Sequence, residues 1–122
     1  MAPSGRIATA LASALALAGS ANAQQAAKGE EAFQDHCSQC HVLSGVGQGP
    51  SLIGIVGRKA ASLPNYPYSD ALKRSGITWT AASLDTFIAN PTKLVPGTAM
   101  RAIVADTSER RDLIAYLATL KR

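Results

Sequence analysis

The stretch that most restricts this 122-residue chain is Cys37-Ser38-Gln39-Cys40-His41. It holds both cysteines and one of the two histidines, and a glycine-rich run ending at Pro50 follows it. Three chemistries use a C-x-x-C pair: a reducible disulfide, part of a zinc site, and covalent capture of a haem. Structural zinc takes four protein ligands in a tetrahedron, whereas His36, Cys37, Cys40 and His41 crowd into one turn and do not surround an ion. A thioredoxin-like dithiol belongs beside a βαβ unit, and no strand pattern of any length is present. C-x-x-C-H is the attachment signature of a c-type haem. Two thiols three residues apart on one turn can each bond a vinyl group, and the next residue then aims its imidazole at the iron. Cys37 and Cys40 are the candidate attachment points, and His41 is the candidate proximal ligand.

The segment before this turn reads as an export signal. Arg6 precedes an Ala/Leu run from Ile7 to Ala18, and Ala21-Asn22-Ala23 fits the small-residue pattern of a cleavage site. The apolar run falls short of the ~20 residues that span a bilayer. A signal peptide over residues 1–23, cleaved near Ala23, and a single domain over residues 24–122 are expected. Export carries the chain to an oxidising compartment, the periplasm, where a haem can be attached. Loss of Arg6 takes the net charge from +4 to +3. The remaining cations form pairs such as Lys73-Arg74, Arg110-Arg111 and Lys121-Arg122, with none of the clustering that a nucleic-acid surface needs.

The hydrophobic pattern is helical. A helix-forming run extends from about Gln25 to Cys37. Ser69 and Gly76 bracket a short helix as N-cap and C-cap. Leu84, Phe87 and Ile88 share one face of another, which Pro91 stops. Thr107 is the expected N-cap of a last helix carrying Leu113, Leu117 and Leu120 in a stripe, with Tyr116 beside it. Long Gly/Pro-rich connections, notably from Val42 to Pro67, separate these elements. Loops of that length are uncommon in a compact domain unless something organises them. The expected fold is all-α: four or so short helices and long loops wrapped around a haem.

The group on the iron's far side decides what such a protein does. Once the leader is removed, Met100 is the single methionine, and His36 is confined to the His41 side by its place next to Cys37. Met100 lies in Val95-Pro96-Gly97-Thr98-Ala99-Met100, after a turn and off any helical stripe. A methionine more often fills a gap in a core, but this position suits a ligand. A thioether ligand favours reduced iron and raises the potential, as an electron carrier requires.

With these residues in place, the chain resembles the class I cytochrome c family, in its mitochondrial-like bacterial branch. The resemblance rests on Cys37–His41, Gly49–Ala60, Tyr68–Trp79, Asn90–Met100 and Ser108–Leu120, in family order. It implies one haem c, bound through Cys37 and Cys40, and a fold whose first and last helices cross. Gly29 would permit their close approach, with Phe33 packed on Leu113 and Tyr116. It further implies that the Pro50 carbonyl orients His41, that Arg58, Tyr68 and Trp79 bond one haem propionate, and that Thr98 bonds the other.

Some positions depart from the family pattern. Phe87 stands where a tyrosine hydroxyl often lies near the methionine sulfur, and Leu72 where an asparagine does. Both changes make that pocket drier. Ala102 replaces a frequent aromatic. His36, Thr92 and Ala99 stand where lysines are common, whereas Lys93 and Lys59 remain, so strongly salt-dependent docking on a very acidic partner is not expected. The expected function is a monohaem one-electron carrier serving transient redox partners at the haem edge. It has no small-molecule substrate, no nucleic acid, no catalytic residue, and membrane contact only through membrane-bound partners. Two other readings are a subunit held permanently by a dehydrogenase and a weak haem peroxidase acting after Met100 dissociates.

Overall fold

The computed structural model describes residues 8–45 and 47–121, with side chains described from residue 21 onward. Arg6 and the apolar run of the expected leader lie outside the described side chains. Among the described residues five helices follow in order: α1 (Ala8–His36), α2 (Asp70–Arg74), α3 (Ala81–Ala89), α4 (Pro91–Leu94) and α5 (Thr107–Thr119). Among the described residues, no helix is long and apolar enough to cross a membrane. The one pairing of extended backbone described is an isolated antiparallel bridge between Lys59 and Thr78.

Helix ends follow local chemistry, with small corrections to the expectations. α1 starts well before Gln25 and ends near the expected place. Ser69 caps α2 by accepting from the Leu72 N–H. Gly76 is not the C-cap: Ser75 is, and Gly76 follows it at φ +67°, where a residue without Cβ avoids the left-handed clash. Thr80 and Ser83 form a reciprocal capping box on α3. Pro91 ends α3 as expected but also opens α4 as its first residue, where its missing N–H costs nothing. The N-cap of α5 is Asp106, not Thr107: the Asp106 carboxylate accepts from the Glu109 N–H at 2.8 Å. An anionic acceptor suits the positive end of the helix better than a hydroxyl.

α1 and α5 pack directly on each other. At Gly29 a Cβ would lie 1.9 Å from the Asp112 carbonyl oxygen and 2.7 Å from Tyr116 Cβ, so only glycine lets the two backbones meet there. Beside this contact Phe33 and Tyr116 rings pack with centroids 5.5 Å apart, and Leu113 is fully buried. α3 adds Leu84, Phe87 and Ile88 to the same core, and Phe87 packs on Trp79 at 4.9 Å.

The long connection from Val42 to Pro67 is tied down at several points. The Gly49 N–H donates to the Cys40 carbonyl at 2.8 Å, and the Gly54 N–H donates to the Leu120 carbonyl at 2.5 Å. Arg58 donates to the carbonyls of Ser51 at 2.9 Å and Ile53 at 3.0 Å. These ties hold the loop against the end of α1 and the end of α5. Replacing Gly29→Ala is expected to destabilise the folded protein by about 3 kcal/mol, because the new methyl meets backbone that does not yield; equilibrium denaturation measures it.

Candidate functional site

The turn that carries the cysteines grows out of α1. The N–H groups of Cys37 and Ser38 donate to the Phe33 carbonyl at 2.8 and 2.9 Å, and those of Cys40 and His41 to the Cys37 carbonyl at 3.1 and 2.8 Å. Both thiols and the imidazole thereby leave one compact turn. Neither cysteine is in a disulfide. Cys37 is half-buried, and burial, with a smaller contribution from Cys40, pushes its thiol up to about 11. Cys40 is exposed, and its Sγ donates to Gln48 Oε1 at 3.4 Å.

His41 Nδ1 lies 2.7 Å from the Pro50 carbonyl oxygen. A carbonyl only accepts, so Nδ1 carries the proton and Nε2 is the nitrogen left to bind a metal. Burial lowers the His41 pKa, against the opposing pull of the Pro50 bond, and this favours the neutral ring that metals require. Gly49 clears the space: a Cβ there would sit 2.5 Å from His41 Cε1.

All nine residues singled out from sequence, Cys37, Cys40, His41, Pro50, Arg58, Tyr68, Trp79, Thr98 and Met100, line one cavity of about 290 Å³. Its walls are largely apolar: Leu52 and Ile55 from the long loop, Leu84, Phe87 and Ile88 from α3, and Leu113 and Leu117 from α5. Phe87 and Leu72 both face it, so the two departures from the family pattern fall on the cavity itself. Trp79 and Thr98 are buried, at 5% and 6% exposed. Tyr68 Oη accepts from the Leu63 N–H at 3.3 Å, which leaves its own proton to donate. Arg58 lines the cavity while its guanidinium ties the loop at Ser51 and Ile53.

Tyr66 was not anticipated from sequence. It lines the cavity, donates its hydroxyl to the Gln48 carbonyl and packs edge-on against Tyr68 at 4.8 Å. It thus joins the Pro64–Pro67 turn to the loop beneath His41. Nothing in its local spacing separates it from an ordinary loop tyrosine. Gly49 was legible only as part of a glycine-rich run.

The residues present fit a haem. The cavity is broad and apolar, two thiols and an imidazole share one edge of it, and Met100 contributes a thioether. Among the described residues, no three His, Cys, Asp or Glu side chains converge to hold a bare ion. The donors suit a metal that brings its own equatorial ring.

A helical shell carrying C-x-x-C-H at the rim of such a cavity defines a c-type haem protein. A family model described as Cytochrome c matches residues 26–121, and the chain belongs to the cytochrome c family. Cytochrome c2 of Rhodomicrobium vannielii is 44% identical over 96 residues, covering 75% of this chain and 76% of that protein. Cytochrome c2 of Rhodopila globiformis is 43% identical over 106 residues, covering 84% of this chain and all of the relative. In structure, the chain is similar to cytochrome cH from Methylobacterium extorquens, with TM-score 0.74 and 47% identity over 77% of this chain and 97% of that one. The fold is the helical cytochrome c fold, haem c is attached through Cys37 and Cys40, and the protein is a monohaem electron carrier.

Substituting Gly49→Ala is expected to push the His41 ring off the Pro50 carbonyl and to lower stability by about 1–3 kcal/mol through overpacking. Denaturation of the loaded protein and the proton NMR resonances of the His41 ring report the two effects.

Proposed function

We propose that this chain is a periplasmic shuttle that passes single electrons between transient partners, without substrate or catalytic residue, and that His41 and Met100 are its two iron ligands. The observation that carries this reading is the convergence of the Cys37–His41 turn and Met100, from opposite ends of the domain, on one apolar cavity.

Haem c, when bound, supplies an iron that exchanges one electron between its ferrous and ferric states. The chain's residues make that exchange simple. Pro50 holds His41 in one tautomer and one orientation through the redox change. Met100 would offer a neutral sulfur, which favours the ferrous form. With His41 and Met100 both holding the metal, small molecules would be kept from it. Phe87, Leu72, Ile88 and Leu84 give the cavity apolar walls, and apolar surroundings penalise net charge. Arg58, Tyr68 and Trp79 would meet one propionate, and Thr98 the second. Each is a donor, as a carboxylate placed beside an apolar wall requires.

Gln39, Thr92, Lys93, Ala99 and Arg101 are exposed and would form the docking face at the cavity's open edge. Its sparse charge suits brief encounters whose rate changes little with salt. Export to the periplasm is supported by the leader pattern in residues 1–23.

The reading makes two predictions. Ferric protein is expected to show a weak far-red sulfur-to-iron band and to leave carbon monoxide unbound after reduction at neutral pH. Met100→Leu loses the band and binds carbon monoxide; a wild-type protein that binds it readily would overturn the assignment. The second concerns processing: mass spectrometry of protein from the periplasmic fraction is expected to find a chain beginning at Gln24 and heavier by one haem. A product retaining residues 1–23 counts against export by a cleaved leader, and a colourless one counts against haem attachment.

A further inference from the structure

Arg110, on the first turns of α5, is a charged side chain that the fold buries, at 8% exposed. It does not line the cavity. Its guanidinium nevertheless reaches three parts of the fold. Nε donates to Asp85 Oδ1 of α3 at 2.8 Å. Nη1 donates to two successive carbonyls, Val104 at 2.9 Å and Ala105 at 2.8 Å. Nη2 donates to Thr107 Oγ1 at 3.3 Å.

Burying a guanidinium is unfavourable unless its donors are met, and an apolar side chain of similar volume often packs as well or better. A buried charge is therefore weak support for stability, and its geometry is the more telling property. Nη1 bridges adjacent carbonyls and so fixes two peptide planes at once. Those planes belong to the extended segment 100–106 that begins at Met100. The Val104 N–H donates to the Ile88 carbonyl of α3 at 3.1 Å, and both Val104 and Ile88 line the cavity. Upstream, the Thr98 N–H donates to the Val95 carbonyl at 3.0 Å. Met100 is thus suspended between a turn on one side and the Arg110 clamp on the other.

We infer that Arg110 is a positioning residue for Met100, holding the 100–106 segment so that the thioether stays at the cavity. The inference rests on the reading of Met100 as an iron ligand. A thioether is a neutral, weak donor, and its hold on a metal depends on how little freedom its segment has to leave. Pre-ordering that segment raises the sulfur's effective concentration without adding any contact to the metal. The Asp85 pair, with its carboxylate 45% exposed, serves mainly to aim the guanidinium; the two carbonyl bonds do the anchoring.

Titration of ferric, haem-loaded protein with imidazole, which competes with the sulfur, tests this. Arg110→Gln is expected to bind imidazole about tenfold more tightly than wild type, the scale set by losing charge-assisted bonds to one buried and one part-buried carbonyl, and to show a weakened far-red band. Arg110→Lys, which keeps a charged donor, falls between the two, and Asp85→Asn stays near wild type. Ile114→Ala, on the same helix and outside the clamp, is the control for general destabilisation. It is expected to lower the denaturation midpoint while leaving imidazole affinity within about twofold of wild type. If Arg110→Gln and Arg110→Lys weaken folding as Ile114→Ala does but leave band and imidazole affinity unchanged, the inference is overturned and Met100 ligation stands. If Arg110→Gln yields no loaded protein, Arg110→Lys against Ile114→Ala decides the matter in the same way. A wild-type protein without the band overturns the ligation itself, and this inference with it.

Discussion

The backbone contact between Gly29 and Asp112 is the constraint on which the rest of the structure depends. α1 delivers the Cys37–His41 turn, and α5 delivers Leu113 and Leu117 to the cavity wall. Their separation sets whether the thiols and the imidazole meet the opposite wall at the right distance. A side chain at position 29 would pry the helices apart by the width of a methyl group. Phe33, Tyr116 and Leu113 fill the space beside this contact, so its geometry is locked by close packing as well as by the absence of a Cβ.

The fold is unusual in how much of it is connection, and the loops are ordered by polar ties at a few points. Arg58 gathers the loop at Ser51 and Ile53, Tyr66 closes it onto Gln48, and the Lys59–Thr78 bridge fixes its far end. On the other side of the cavity Arg110 does the same for the segment after Met100. Two arginines thus clamp the two irregular halves of the wall. Guanidinium suits the task because one planar group can meet several carbonyls that belong to different turns.

The cavity lining also shapes the protein's redox behaviour. Phe87 and Leu72 both line the cavity with apolar side chains that offer no hydrogen bond. With Met100 as the proposed ligand, apolar surroundings would raise the penalty on the more highly charged oxidised state, while the lack of hydrogen bonds would leave the sulfur a stronger donor to it. These effects oppose each other, so the balance depends on distances within the cavity more than on residue type. The His36–Glu109 pair, at 2.6 Å, ties the end of α1 to the start of α5 beside the cavity rim.

Much of this protein was legible along the chain, because the information is local. The C-x-x-C-H turn confines three functional groups within five residues, and helical periodicity marked Leu113 and Leu117 as facing inward. Met100 stands out along the chain as the one methionine outside residues 1–23, and the fold brings it to the cavity. The ends of α2, α3 and α5 were legible to within a residue or so, whereas the start of α1 and the whole of α4 were not; Asp106 displaced Thr107 because a carboxylate caps better, and Pro91 both ended one helix and began the next. Tyr66 and Arg110 carried no such mark. A tyrosine in a loop and an arginine on a helix look alike wherever they stand, and their partners lie on elements that only folding brings near. The residues by themselves determined the chemistry of the site. The tertiary structure alone decided which distant backbone carbonyls lie within reach, and hence which polar side chains hold that chemistry in place.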